Sequence, residues 1–209
     1  MSGSEPHEEA AGNGEADLPA MENKQIHISG AGTIAMGILL MSLTVLFAAS
    51  TFAYLLVRSR ATQWPPAGFP AIPKTLWIST VVILVSSATV QMALGAIKRD
   101  NERGLVRMLW ATFGLGLLFL VMQAANWWEF YRSIGPDTQL RGQYLGMFYV
   151  LTGLHAAHVI GGLIPLGVVI YAAMKGRYSR NFHPGVRYSA AYWHFLDVVW
   201  VVLFSVLYF

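Results

Sequence analysis

Five long apolar runs dominate this chain and restrict what it can fold into. They extend over about Gly30–Val57, Thr75–Ile97, Met108–Tyr131, Gly142–Met174 and Tyr188–Phe209. Each is long enough to cross the hydrocarbon layer of a bilayer, which takes about 20 helical residues. Because lipid offers no hydrogen-bond partner to free backbone groups, such runs must be helices. We therefore expect an all-α polytopic membrane protein, in which residues 30–209 form a bundle of five transmembrane helices.

The composition supports this class of protein. Of the 209 residues, 55% are hydrophobic and 12% are charged, and the mean hydropathy is positive. The formal charge of +3 comes from basic residues clustered in the loops, and no nucleic-acid partner is expected. The sequence contains no cysteine, which excludes disulfides, thiolate metal sites and a cysteine nucleophile. It also contains no phosphate-binding loop, nucleophile elbow or zinc-protease signature.

Residues 1–29 differ from the rest of the chain. They hold six of the eleven acidic residues and a single basic residue, Lys24. Small and polar residues make up most of the remainder, so this acidic tail cannot bury a core and is expected to be disordered. A secretory signal peptide begins with a positive region, which is absent here, so we expect the tail to be retained.

The basic residues of the loops indicate an orientation. With the N-terminus inside and the C-terminus outside, nine basic residues lie on the cytoplasmic side and five on the outer side. The inner set is Lys24, Lys98, Arg99, Arg103, Arg107, Lys175, Arg177, Arg180 and Arg187; the outer set is Arg58, Arg60, Lys74, Arg132 and Arg141. Cytoplasmic loops carry an excess of Lys and Arg, so this orientation is the expected one.

Two pairs of ionisable residues lie inside the last two apolar runs. His155 and His158 belong to the sequence TGLHAAHVIGG, and His194 and Asp197 to YWHFLDVVW. At a spacing of three residues, each pair lies on one face of its helix. Ionisable groups at membrane depth usually face protein or trapped water, because exposure to lipid is costly. The four residues therefore indicate a structural polar seam between the fourth and fifth helices.

The same four residues also admit a metal or haem site, since imidazole and carboxylate are ordinary ligands. No cysteine or second histidine pair completes a coordination shell. We therefore favour the seam, and we expect no catalytic, cofactor-binding or metal-binding residue in this chain.

A polar stripe follows the third run toward its outer end. It consists of Gln123, Asn126 and Glu129, at intervals of three residues. Such a stripe could line a proton or substrate path, or it could be a face for contact with another helix. We favour the helix contact, because the last turns of this run already approach the interface.

Taken together, these stretches resemble subunit III of the haem–copper respiratory oxidases, in its five-helix bacterial form. The likeness rests on the two C-terminal motifs, Thr152–Gly162 and Tyr192–Trp200. It extends to three further stretches: WPPAG (Trp64–Gly68), SSAT (Ser86–Thr89) and FLVMQAANWWEF (Phe119–Phe130). The resemblance covers residues 30–209 and leaves only the acidic tail outside.

The resemblance implies a subunit of a terminal oxidase that carries no redox centre or catalytic centre of its own. It would pack against the haem–copper subunit I, with subunit II in the same complex, in the bacterial cytoplasmic membrane. Haem and copper would belong to the partner subunits, and this chain would bind structural phospholipid and support proton uptake and the stability of the complex. The oxidase would take electrons from cytochrome c or from a quinol. Many members carry a buried glutamate after a serine in the first span, where this chain has Ser42 and Leu43.

Three other functions remain open at this stage. An accessory protein of nitric oxide reductase would resemble subunit III without belonging to an oxidase. A proton-coupled transporter would use the histidines and the aspartate as a relay, although neither inverted repeats nor broken helices are evident. A free-standing membrane metalloenzyme would bind a metal to the same side chains.

Overall fold

The structure is a computed structural model. It describes the backbone of residues 17–64, 75–133 and 141–209, and the side chains of residues 30–64, 75–133 and 144–209. The five helices are α1 (Asp17–Arg60), α2 (Thr75–Lys98), α3 (Glu102–Ser133), α4 (Arg141–Met174) and α5 (Pro184–Tyr208). The described ranges contain no strand. Most of the WPPAG motif and its loop lie outside them.

All five helices contain a stretch that is long and apolar enough to cross a membrane. The stretches are Gly30–Arg60, Thr75–Lys98, Glu102–Ser133, Tyr144–Met174 and Pro184–Tyr208. The predicted all-α architecture with five membrane-spanning helices is therefore confirmed, whereas the orientation stays a prediction. Four helices begin earlier than the apolar runs: α1 at Asp17, α3 at Glu102, α4 at Arg141 and α5 at Pro184. Hydropathy marks the part of a helix that fits the hydrocarbon layer, and a helix continues beyond it into polar turns.

The chain divides into two compact units, Met1–Leu39 and Leu40–Phe209. In the first unit, the described residues form the N-terminal part of α1. The second unit contains the rest of α1 and all of α2 to α5. Residues 17–29 of the acidic tail belong to α1. Residues 1–16 lie outside the described part of the chain, and the disorder expected of them stays a prediction.

The helix ends on one side of the second unit have clear local causes. α2 and α4 both end in a Schellman motif, with Asp100 and Gly176 at positive φ angles of 53° and 64°. In the first, Asn101 N donates to Ala96 O at 3.0 Å; in the second, Arg177 N donates to Ala172 O at 3.1 Å. The side chain of Asn101 then caps α3, since Gly104 N donates to its Oδ1 at 2.8 Å. α5 begins at Pro184, whose fixed φ suits the first helical position.

Helices α2 to α5 form a ring, in which α2 and α4 each pack against both α3 and α5. The core of this ring is apolar, and its largest fully buried side chains include Trp193, Trp200 and Phe119. Within the second unit, α1 packs against α4 and α5 through a smaller cluster, formed by Phe47, Tyr54, Leu151, Val199 and Leu203. Pro165 lies within α4, which continues on both sides of it.

Candidate functional site

Two indole groups of α5 are hydrogen-bonded to hydroxyl groups of α2. Trp193 Nε1 donates to Ser86 Oγ at 2.8 Å, and Trp200 Nε1 donates to Thr80 Oγ1 at 3.0 Å. The Thr80 hydroxyl donates in turn to Leu76 O at 2.8 Å, which leaves a lone pair directed at the indole. A buried indole N–H needs a partner, so these two pairs fix the register of α5 against α2.

A third indole performs the same role between α3 and α4. Trp127 Nε1 donates to Thr152 Oγ1 at 3.0 Å, and the Thr152 hydroxyl donates to Phe148 O at 2.7 Å. Tyr149 adds a second contact by donating to Trp127 O at 2.9 Å. Thr152 opens the first of the C-terminal motifs, and its position explains why a hydroxyl is used there.

His194 and Asp197 lie next to α2. His194 Nδ1 is 2.7 Å from Ser87 Oγ, and its Nε2 is 3.2 Å from Gln91 Oε1. Asp197 is 4% exposed and lies close to the Ser87 hydroxyl. Within the described residues, its two carboxyl oxygens make no hydrogen bond of normal geometry. This pair of the predicted seam therefore contacts the second helix, whose contacting residues Ser87 and Gln91 lie 107 and 103 residues before His194.

His155 is surrounded by aromatic rings from three other helices. Its side chain is completely buried, and its ring centroid is 5.0 Å from that of Trp200, 5.7 Å from Phe119 and 6.3 Å from Phe47. Neither ring nitrogen has a hydrogen-bond partner among the described residues. The packing of His155 is thus that of an aromatic core residue, and it connects α4 to α1, α3 and α5.

His158 is one turn further along α4 and is satisfied by its own helix. Its Nδ1 lies 2.7 Å from Leu154 O, and its ring is 5.2 Å from Phe47 in an edge-on arrangement. Tyr192 of α5 donates to His158 O at 3.1 Å. The backbone of His158, rather than its imidazole, therefore receives the hydrogen bond from α5.

In the polar stripe of α3, the two amide side chains are buried and the acidic side chain is exposed. Gln123 and Asn126 are each 1% exposed, whereas Glu129 is exposed. Thr75 of α2 donates to Asn126 Oδ1 through a short hydrogen bond. Both polar atoms of Gln123, and Asn126 Nδ2, have no partner among the described residues. A step of six residues turns a helix by 600°, so Glu129 points about 120° away from Gln123.

These positions define what the arrangement can do chemically. The described residues contain no group of three or more His, Asp or Glu side chains that could hold a metal ion. Their polar side chains instead join helices in pairs: α2 with α5, α3 with α4, α2 with α3, and α4 with α5. The residues that sequence reasoning missed are the hydroxyl and indole partners, Thr80, Ser86, Trp193 and Trp200. The sequence did contain a signal for the two tryptophans. Trp193 and Trp200 lie seven residues apart within one apolar run, so they share one face of the helix.

Comparisons with known proteins indicate the same family as the two C-terminal motifs. The family described as cytochrome c oxidase subunit III matches residues 22–209. The cytochrome c oxidase subunit 3 of Thermostichus vulcanus is 36% identical over 172 residues, which cover 82% of this chain and 83% of that protein. The protein of the same name from a Synechocystis strain is 36% identical over 158 residues, or 75% of this chain and 66% of the relative.

A third relative is considerably longer. The probable cytochrome c oxidase subunit 3 of Rickettsia felis is 39% identical over 153 residues, which cover 69% of this chain and 52% of that protein. This chain therefore spans about half the length of the Rickettsia relative. The match of the family over residues 22–209 includes four of the five helices in full and most of α1. The chain belongs to the cytochrome c oxidase subunit III family.

Proposed function

We propose that this chain is the non-redox subunit III of a haem–copper terminal oxidase, a cytochrome c oxidase of an aerobic respiratory chain. The observation that carries the proposal is the family match over residues 22–209, which includes both C-terminal motifs. The relatives from Thermostichus and Synechocystis are named cytochrome c oxidase subunit 3, and the relative from Rickettsia is named probable cytochrome c oxidase subunit 3. No observation favours an accessory protein of nitric oxide reductase, a transporter or a free-standing metalloenzyme.

In this function the chain supplies structure rather than chemistry. His155, His158, His194 and Asp197 would be structural, since each lies in a contact between helices. Gln123 and Asn126 would likewise serve the contact of α3 with its neighbours. Haem and copper would be held by the partner subunits. The complex, and not this chain alone, would be the oxidoreductase.

The expected partners are subunit I and subunit II of the oxidase, in a bacterial cytoplasmic membrane. With the N-terminus inside, the ends of α2 and α4 and the starts of α3 and α5 would face the cytoplasm. That side holds the pair Arg103 and Arg107, both exposed on the first turns of α3. Their position agrees with the excess of basic residues that cytoplasmic ends carry.

Structural phospholipid has a suitable place on the second unit. An apolar groove with a volume of about 360 Å3 lies between α1 and α5. Phe47, Phe52, Phe195 and Val202 are among the side chains that line it. Acyl chains pack against such surfaces, and the small residues Thr44 and Ala48 widen the groove on the α1 side. We propose that a phospholipid of the complex lies here.

Support of proton uptake would be indirect in this chain. Leu43 is 7% exposed and occupies the place where many members of the family have a buried glutamate. No carboxylate is therefore available there to collect or transfer protons. The chain would support proton uptake by keeping the oxidase intact during turnover.

The proposal is tested by purifying the complex through a tag on this chain, in a mild detergent. We expect haem-containing subunits to co-purify and the preparation to consume O2 with reduced cytochrome c or with a quinol. Comparing the two donors identifies the electron source. Co-purification of a nitric oxide reductase, or recovery of the chain without any haem protein, would contradict the proposal.

A further inference from the structure

One strip of the surface combines apolar side chains with a polar group at membrane depth. We call it the α2/α5 face and define it by Trp77, Leu84 and Gln91 of α2 and by His194, Val201 and Tyr208 of α5. The members of each set are seven residues apart, which places them on one side of their helix. The four apolar members are between 39% and 46% exposed. Trp77 also packs against Tyr208, with 5.3 Å between ring centroids, so the two sets form one continuous surface.

The polar part of this face is a chain of hydrogen bonds that ends at the surface. Gln91 Oε1 can only accept, so His194 Nε2 donates to it over 3.2 Å. In the neutral ring Nδ1 then accepts, and Ser87 Oγ donates to it over 2.7 Å. The chain thus runs from Ser87, beside the buried Asp197, to Gln91, which is exposed. Within the described residues, the amide NH2 of Gln91 has no acceptor.

The NH2 group of Gln91 lies at a depth of the membrane where lipid cannot accept a hydrogen bond. It lies seven residues before Lys98, the last residue of α2, which corresponds to roughly 10 Å along the helix axis. Lys98 is a charged residue at the membrane boundary, so Gln91 lies inside the hydrocarbon layer, about 30 Å thick. Acyl chains there cannot accept a hydrogen bond, and polar groups at this depth are therefore satisfied by protein.

Three hydroxyl groups at the surface of the spans are satisfied by their own helix. Thr44 donates to Leu40 O at 2.8 Å, Ser50 donates to Leu46 O at 2.8 Å, and Ser205 donates to Val201 O at 2.7 Å. Hydroxyl groups can close on the preceding turn in this way and then face lipid without cost. The amide of Gln91 does not close on its own helix in this way, and its NH2 group is left to donate to a neighbouring molecule.

We propose that the α2/α5 face is the docking surface for a transmembrane helix of a partner subunit. That helix places a hydrogen-bond acceptor, such as a carboxyl, hydroxyl or free carbonyl oxygen, against the amide of Gln91. Its apolar side chains cover Leu84 and Val201 on the outer side of that contact. The inference rests on the proposed function only in taking the partner from the oxidase complex.

The docking surface is tested by photo-crosslinking in native membranes. Benzoylphenylalanine replaces Leu84 on the face and, in a control, Leu117 of α3, which is equally exposed at 45% against 46%. We expect Leu84→benzoylphenylalanine to crosslink to one helix of a haem-containing complex, identified by mass spectrometry, and the control to give no crosslink to that helix. Crosslinking only to lipid, or to a second copy of this chain, would overturn the inference.

A pair of substitutions tests the hydrogen bond itself. Gln91→Leu removes the amide, and Met92→Leu changes the adjacent side chain, which is 56% exposed and apolar. We expect Gln91→Leu to lower the retention of the chain by its complex in detergent about fivefold, the factor for one net hydrogen bond, and Met92→Leu to leave it unchanged. The yield and thermal midpoint of each isolated chain show that both variants fold. Equal retention of the two variants would refute the role of Gln91.

The two experiments separate this inference from the proposed function. If the crosslinked helix belongs to a complex without haem, the docking surface is supported and the proposed oxidase function is contradicted. If haem subunits co-purify while position 84 crosslinks only to lipid, the oxidase function is supported and the docking surface is contradicted.

Discussion

Trp193 of α5 fills the space beside Gly116 of α3. A Cβ atom at Gly116 would lie 2.9 Å from both Cζ2 and Cη2 of that indole, closer than van der Waals contact allows. The same indole donates to Ser86 of α2 at 2.8 Å. One side chain therefore joins three helices, and the absence of a side chain at position 116 is what allows it. Close approach through small residues is a large part of how helices associate in lipid.

We predict that Gly116→Ala destabilises the fold, whereas Gly114→Ala does not. The new methyl group at 116 would press on Trp193 and on Leu163 Cδ2, which is 3.1 Å away. Overpacking of this kind costs about 1–3 kcal/mol. Nothing lies within 4 Å of a Cβ atom at Gly114, and alanine is the better helix former. Thermal unfolding of the purified chain in detergent measures both, and equal midpoints for the two variants would show that the contact is not tight.

We predict that Ser86→Ala is more destabilising than Ser79→Ala. Both serines are fully buried in α2. Without the Ser86 hydroxyl, the indole N–H of Trp193 loses its acceptor, and a buried donor without a partner costs about 1–3 kcal/mol. Ser79 donates only to Leu76 O within its own helix, so its loss leaves no group of another helix unpaired. Denaturant titrations of the two variants provide the comparison, and an effect at Ser79 as large as that at Ser86 would contradict it.

We predict that Arg58→Leu loosens the last turn of α5. Arg58 Nη1 donates to Val206 O at 3.2 Å, and its Nη2 donates to Phe209 O at 2.6 Å. A cation near the end of a helix satisfies its free carbonyl groups and interacts favourably with its dipole. Hydrogen exchange of the amides of residues 205–209 should therefore accelerate. Arg60→Leu is the control, because Arg60 is exposed and makes no hydrogen bond in the described part of the chain. Similar exchange rates in the two variants would show that the hydrogen bonds of Arg58 do not stabilise the end of α5.

We predict that the purified chain binds no stoichiometric haem, copper, iron or zinc. His155 is enclosed by aromatic rings, and His194 is engaged by Ser87 and Gln91. Metal analysis by mass spectrometry and the absorption spectrum test this directly. One equivalent of metal that disappears when His155 and His194 are both replaced would show a binding site instead.

We predict that residues 63 and 179 lie on opposite sides of the membrane. The native chain has no cysteine, and both Gln63 and Ser179 are exposed. With the N-terminus inside, an impermeant thiol reagent added to the outside should label Gln63→Cys and leave Ser179→Cys unmodified. The opposite labelling pattern would reverse the orientation inferred from the basic residues.

The helical architecture could be read from the sequence because it depends on local chemistry. Uninterrupted apolar length requires a membrane helix wherever it occurs, so the five spans follow from composition alone. The ends of the helices do not, since α3 begins at Glu102 and α5 at Pro184, in polar turns that hydropathy treats as loop. There the capping by Asn101 sets the start of α3, and Pro184 sets the start of α5.

The polar residues of the spans could be named from the sequence, but their partners could not. Spacing places His194 and Asp197 on one face of α5 and shows nothing about the helix that meets this face. The ring of helices brings Ser87 and Gln91 to His194 from 107 and 103 residues away, and it leaves His155 among aromatic rings. A sequence determines which groups must avoid lipid. Only the packing of whole helices determines which groups satisfy one another, because that choice depends on the summed contacts of every side chain along the interface.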